Sequence, residues 1–509
     1  MGRNANRVVP LQEVALRLHP QDDVAIAKTD LSVGVVLALE TEAQVTVRQS
    51  IPGGHKVALR GIAAGEHVHR YGQVIGLASQ TIAPGEHVHV HNLSVQDFAR
   101  EPAFGADVQP VAFVPESEQR TFLGCRRADG RVGTRNYVAV ISTVNCSAHV
   151  AREIARRFTP ERLAAFPNLD GVIPFTHQLG CPTRQVLLQR TLAGIARHPN
   201  VGGYILVGLG CETNQVADLA ARYDLSGPGL VIQELGGVRK TVEAGIAAIE
   251  ELLPSVNDVR RAAQPISELT LALQCGGSDS WSGVTANPVV GLVSDEVVRQ
   301  GGTVVLAETP EIYGAEHLLT RRAGSPQVGR KLLAQVRWWR EYAQKMGIEV
   351  DDNRSVGNEA GGLTTIYEKS LGAVAKAGST PLTGVYEYAE RVTARGFVFM
   401  NSPGYDPVAV TGQVAGGCNL VLFTTGRGSV FGFKPAPCIK INSHSALYER
   451  MAEDMDLNAG QVLEGVDMAQ VAAELLDRVI AVASGQPSKS ESLGVGEAEF
   501  VPWNVEGTL

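Results

Sequence analysis

Seven short, nearly continuous apolar runs most restrict what this 509-residue chain can fold into. They are Asn136–Thr143 (NYVAVIST), Gly171–Phe175, Tyr204–Leu209 (YILVGL), the stretch from Leu269 (LTLALQC), Thr303–Leu306, Gly396–Met400 and Val421–Thr424. A strand that is apolar on both faces must be covered on both faces. That condition is met by a parallel sheet whose crossovers are helices. Helical spacing does intervene, as at Val150, Ile154 and Phe158. The expectation is an α/β multi-domain protein with largely parallel sheets.

The N-terminal part reads differently. Short β runs broken by Gly and Pro fill residues 14–96, and two look-alike units, GIAAGEHVHR (61–70) and TIAPGEHVHV (81–90), lie 20 residues apart. They predict a small β domain built from two similar strand-turn-strand pieces. Residues 97–118 are irregular, with three Pro, and read as a linker. The predicted division is a β domain at 14–96, the linker, one α/β domain at 119–262 and a C-terminal α/β domain at 263–509.

Composition narrows the class of protein. A net charge of -8 argues against nucleic acid or an anionic membrane as partner, since neither polyanion gains from an acidic surface. Residues 1–20 carry no apolar signal core, and no stretch approaches the length of a membrane span. Seven cysteines without a C-x-x-C pair fit a reducing compartment. The chain is expected to be cytoplasmic and to act on a small molecule, with homo-oligomerisation left open.

Several residue groups could carry chemistry. In GEHVHVHN, period-2 alternation puts His87, His89 and His91 on one strand face, about 6.6 Å apart along the chain. Such imidazoles can share a cation or a polyol, or be incidental on a solvated strand. Glu308 and Glu311, in AETPE, leave the carboxyl end of a predicted strand, where open α/β sheets place their ligands. They serve as base or oxygen ligands, or as ordinary helix-start residues. Asp279 leaves another strand end in QCGGSD and could equally be a turn residue.

Gly-rich junctions at 208–212, 275–279, 357–362 and 424–428 let backbone N–H groups approach an anion. Arg427, in TTGRG, can grip a carboxylate with two hydrogen bonds. None of these junctions is a Walker A or a complete dinucleotide fingerprint, so NAD and ATP are not indicated. Cys146, Cys181, Cys211 and Cys275 each follow a predicted strand. They are either buried thiols or ligands of an iron–sulfur cluster. His177, four residues before Cys181 in HQLGC, is a further acid or ligand.

The ordered phrases GHKVAL, GEHVHVHN, ADGRVGTRN, GLGCE, QCGGSDSWSGVTANP, ETPEIYGAEHLL, GNEAGGLTT, EKSLG and TTGRG resemble the altronate dehydratase / galactarate dehydratase family, from about residue 23 to the end. The resemblance implies an N-terminal SAF-like domain, two α/β portions and removal of water from six-carbon sugar acids. It also implies a divalent metal, usually Fe2+, with Mn2+ as an alternative. A related branch eliminates sulfite from sulfolactate. The His-x-His-x-His run resembles the altronate branch. One departure is Val356, where Pro is expected before Gly357 and Asn358.

On this basis metal is expected on His87, His89 and His91. Catalysis is expected from Glu308, Glu311 and His177, and substrate binding from Arg427, Lys369 of EKSLG, Asp279, Asn358 and His55. A galactarate (aldarate) dehydratase and a sugar-acid binding protein are the alternatives.

Overall fold

The computed structural model describes residues 8–39, 43–96, 102–181 and 185–505. The first five residues of the expected linker, 97–101, and the start and end of the chain lie outside the described residues.

The N-terminal domain is made of short strands in three small sheets. One holds Ala15–Leu16, Val24–Ala27, Lys56–Ala58 and His87–Val88 in that spatial order, all antiparallel. The two look-alike units build the same turn. Glu66 and Glu86 each accept from the backbone N–H three residues earlier, both at 2.9 Å, and Gly65 and Gly85 take φ of 81° and 82°. Only glycine adopts that backbone without strain. Ile62 and Ile82 then bridge the two units antiparallel.

The expected parallel sheets are present. Gly171–Phe175, Tyr137–Ser142, Val201–Gly208 and Gly229–Val231 form a four-stranded sheet, all parallel. The C-terminal sheet has seven strands in the order Leu382–Tyr386, Gly396–Met400, Thr303–Leu306, Thr270–Cys275, Leu420–Thr425, Cys438–Asn442 and Leu457–Asn458, again all parallel. Its apolar runs are buried on both faces by alternation. Leu271, Leu273, Val304 and Leu306 join a core beneath the helices Ala286–Arg299 and Met468–Ala483. Ala272, Val305, Val421 and Phe423 face the opposite way.

That second face is shared with the middle domain, whose Tyr137, Ala139, Ile141 and Leu192 lie in the same cluster. The helices Val186–Ala196 and Asp406–Ala415 cross there so closely that a Cβ on Gly194 would stand 2.3 Å from the Ala415 carbonyl oxygen. Entry and exit of the middle domain are also tied. Thr121–Arg126 pairs antiparallel with Arg261–Pro265, so the expected 262/263 boundary falls inside a strand. The described part of the linker lies against the C-terminal domain through Gly105, Asp107 and Val114, whose N–H groups donate to Thr320, Arg321 and Arg299 carbonyls. Among the described residues no helix is long and apolar enough to cross a membrane.

Candidate functional site

The carboxyl ends of the central C-terminal strands open on a pocket of about 320 Å³. Cys275 ends its strand, and Gly276 must be glycine because a Cβ there would lie 2.2 Å from an Asp406 carboxylate oxygen. Glu308 follows the strand Thr303–Leu306 and takes φ of 67°, turning the chain into the short 3-10 helix Thr309–Ile312 that carries Glu311. The Ser402 hydroxyl accepts from the Glu308 N–H at 2.9 Å and pins that turn. Asp406 starts the helix after the neighbouring strand Gly396–Met400. Cys275, Glu311, Asp406, Lys369, Arg354 and Asn358 are among the lining residues, whereas Glu308 is buried beside Glu311 and is not part of the lining.

Ligand atoms of Cys275, Glu308 and Glu311 lie within 4.8 Å of one another, all buried. Burial, then the neighbouring Glu311, raises the Glu308 carboxyl well above its ordinary pKa. Burial and Glu311 push Asp406 up to about 6. Burial pushes the Cys275 thiol up to about 12, although Lys376 Nζ donates to its Sγ at 2.7 Å. Burial would lower Lys369 and Lys376, but the acidic groups around them hold both above the ordinary lysine value. Lys369 meets Glu311 at 2.7 Å. Oε1 of Glu308 is buried without a hydrogen-bond partner among the described residues.

A second group forms on the N-terminal domain. The antiparallel pairing of Lys56–Ala58 with His87–Val88 brings His55 beside His87, at 3.0 Å between Nδ1 and Nε2. Nitrogens of His55, His87 and His89 lie within 4.8 Å of one another. Burial lowers all three imidazoles, His87 to about 4 and His89 to about 3, so they are neutral donors at pH 7. Nδ1 of His89 is buried with no partner among the described residues.

The strand expected to run through His91 ends at Val88. There the chain turns, with His89 N–H bonded to the Asn92 side chain and Asn92 N–H to the His89 carbonyl. His91 is therefore exposed, its ring 5.4 Å from that of His87, and His55 occupies the place expected of it in the trio. In the earlier repeat, His69 is tied to Asp23 at 2.8 Å.

The two groups are joined through the helix Ile366–Val374. Glu368 faces the N-terminal domain, where it binds Lys56 at 3.0 Å and Arg70, all three fully buried. Burial alone would raise Glu368, but the two cations bring it down to about 2. Its neighbour Lys369 faces the pocket. The turn before the helix also touches both sides: the Ala360 carbonyl lies 3.3 Å from His55 Nε2, while Asn358 donates to the Ser278 carbonyl at 2.7 Å beside the pocket.

Other residues singled out in the sequence have structural partners. Asp279 accepts from Ser282 N–H and from the Ser443 hydroxyl, at 2.8 and 3.0 Å. Arg427 is exposed and is not a lining residue, although its backbone N–H donates to the carbonyl of Gly277, which is. His177 is buried with both ring nitrogens engaged by the backbone of Ser142 and Leu179, at 3.2 and 3.1 Å, which leaves none for catalysis. Cys275 belongs with the carboxylates, whereas Cys146 and Cys181 meet at the end of the middle sheet, 3.9 Å apart. Sequence reasoning missed Asp406, Arg354, Lys376 and Glu368. Asp406 alone carried a signal, since NSPGYDP also follows an apolar run.

Comparison with known proteins bears on all three domains. Residues 13–96 match the Altronate/galactarate dehydratase SAF domain, residues 124–257 the second domain of D-galactarate dehydratase/Altronate hydrolase, and residues 266–508 the C-terminal part of D-galactarate/Altronate dehydratase. The chain is 38% identical to the altronate dehydratase of Bacillus subtilis (strain 168), over 92% of this chain and 95% of that one. It is 36% identical to the altronate dehydratase of Escherichia coli (strain K12), covering 94% and 96%. It is 35% identical to the galactarate dehydratase (L-threo-forming) of the same strain, covering 92% and 93%.

Proposed function

The chain belongs to the D-galactarate/altronate dehydratase family, and from that premise we propose that it is a hydro-lyase converting D-altronate to 2-keto-3-deoxy-D-gluconate and water. The observation that carries the assignment to the C-terminal pocket is a set of buried acids at the end of a parallel sheet: Glu311 and Asp406 line the pocket, Glu308 lies beside Glu311, and burial raises both Glu308 and Asp406. Elimination needs both a proton donor and a proton acceptor, and carboxyls whose proton affinity is raised by burial can serve in either role.

The proton at C2 of a sugar acid is weakly acidic because its carbon adjoins a carboxylate. Asp406, ionised above about pH 6, takes that proton. Glu308, whose proton affinity is raised by burial, gives a proton to the departing C3 hydroxyl. Lys369 and Arg354 meet the anionic end of the substrate, and Glu311 fixes Lys369. The enol so formed tautomerises to the ketone.

A divalent ion, Fe2+ or Mn2+, fits the imidazole group better than the carboxylate group. Three neutral nitrogens face one another there, one of them without a partner. At Cys275 and Glu311, by contrast, Lys376 and Lys369 already supply positive charge that a dication would have to displace. His55, His87 and His89 would hold the ion, which would supply Lewis acidity when bound. Seven cysteines, none paired, support a cytoplasmic setting.

Galactarate is the second reading, because the relative that acts on it is nearly as similar as the altronate enzymes. Steady-state assays with each acid, following the 2-keto-3-deoxy product, test both. A higher kcat/KM on altronate is expected. Preference for galactarate replaces the first reading with the second, and turnover of neither overturns both.

A further inference from the structure

Three thiols gather at the carboxyl edge of the middle sheet, away from the groups assigned to dehydration. Cys146 sits in the 3-10 turn Asn145–Ser147 after the strand Tyr137–Ser142, Cys181 follows Gly171–Phe175, and Cys211 follows Val201–Gly208. These three strands are neighbours, and the edge where they end is where open α/β sheets bind ligands. Backbone bonds stitch the loops together. Asn145 N–H donates to Leu179, Thr213 to Cys181 and Gln233 to Leu209, at 2.9, 2.9 and 3.0 Å.

Supporting residues hold the thiols in place. Buried Glu212 accepts from Thr143, Leu209 N–H and Gly210 N–H, at 2.8, 3.1 and 2.7 Å, which shapes the loop that presents Cys211. Gly210 has φ of 126°, and a Cβ there would stand 2.6 Å from Gln233 Oε1. The Gln233 side-chain amide in turn donates to Cys211 Sγ at 3.4 Å.

These thiols differ from the other four. Free cysteine is commonly a small buried apolar residue, as Cys125, Cys418 and Cys438 are here. Cys146 and Cys211 are exposed and Cys181 is half-buried. Sγ of Cys146 and Sγ of Cys181 lie 3.9 Å apart. A tetrahedral ion with metal–sulfur bonds of about 2.3 Å sets its sulfurs about 3.8 Å apart. A disulfide needs about 2.05 Å.

We propose that Cys146, Cys181 and Cys211 form a three-thiolate site for iron, bound as a single ion or as an iron–sulfur cluster, with one position left free of protein ligands. The site is independent of the dehydration reading and of the imidazole group.

The test uses full-length protein purified without oxygen. Metal and acid-labile sulfide per chain, and the visible thiolate-to-iron charge-transfer band, are measured for the wild type, His89→Ala, Cys146→Ser/Cys211→Ser, Cys211→Ser and the core control Cys418→Ala. The band and its iron are expected to survive in His89→Ala and Cys418→Ala, to weaken in Cys211→Ser and to be lost in the double variant. Labile sulfide in proportion to iron identifies a cluster, and its absence a single ion. Wild-type iron and spectrum in the double variant overturn the proposal. So does a metal-free wild type carrying a Cys146–Cys181 disulfide. Since Cys146 and Cys211 are exposed, serine there should leave thermal unfolding unchanged, which separates lost binding from lost fold. Failure of the dehydration reading would show in the sugar-acid assay, with this spectrum unaffected.

Discussion

The imidazole group of the N-terminal domain and the carboxylate group of the C-terminal sheet both bring three ligand atoms within 4.8 Å, yet their electrostatics are opposite. The imidazoles are kept neutral by burial and leave one nitrogen unpartnered. The carboxylates are acidic, deeply buried and already balanced by two lysines. Close packing of donor atoms therefore does not define a metal site. Whether the donors can take up a positive charge without expelling another decides it.

Glu308→Gln should produce the largest effect. Losing the proton donor should lower kcat by about 10²- to 10⁴-fold while bound metal stays at the wild-type level. His89→Ala should do the reverse for metal, removing it from that group. If Glu308→Gln also strips that metal, the two groups are one site and the contrast fails.

Next comes the link between them. Glu368→Ala leaves Lys56 and Arg70 buried without their counter-charge, a change that costs about 3–5 kcal/mol in comparable settings. Denaturant unfolding should register it. A loss below about 1 kcal/mol would mean that the pair relaxes into solvent and the domains are held by other contacts.

The two regions should also respond to pH with opposite sign. His87 and His89 have folded values below the ordinary 6.5, so in metal-free protein their contribution is present above that value and lost as pH falls toward 4. Asp406 has a raised folded value, so its contribution is present below its ordinary 3.8 and lost as pH rises through about 6. In urea midpoints against pH, Asp406→Asn should flatten the rise-through-6 loss and His87→Gln/His89→Gln the acid loss. Identical pH profiles in both variants would erase the distinction.

The smallest change belongs to His177→Asn. It should cost about 1 kcal/mol of stability for a lost backbone bond and leave kcat/KM unchanged. A large drop in turnover would return His177 to catalysis.

The α/β sheets were readable because strands buried on both faces must be apolar throughout, and the repeat was readable because both copies need the same Gly and Glu for one turn. Strand-end logic also found Glu308 and Glu311. The composition of the imidazole trio was not readable. Alternation favoured His91, but the strand stops at Val88, and His55 enters through a pairing between segments 32 residues apart. Lys376 is a lone lysine in a short turn, with nothing local to mark it. In EKSLG, Lys369 is the residue expected to bind substrate. Its neighbour Glu368 points about 100° around the helix and holds the interdomain ions, a distinction that depends on what packs against each face. The reaction itself came from the family resemblance, and the residues supplied only the chemistry that suits it.

Lys56 and Glu368 are 312 residues apart in the chain. During synthesis the N-terminal domain therefore emerges with two cations whose partner is made roughly 15–60 s later. Its three imidazoles are complete by residue 89, so the proposed metal ligands are synthesised before any residue of the C-terminal pocket. Burying Lys56 and Arg70 with their counter-charge must therefore await synthesis of Glu368, which makes closure of the N-terminal domain onto the C-terminal domain a late event in the chain's folding.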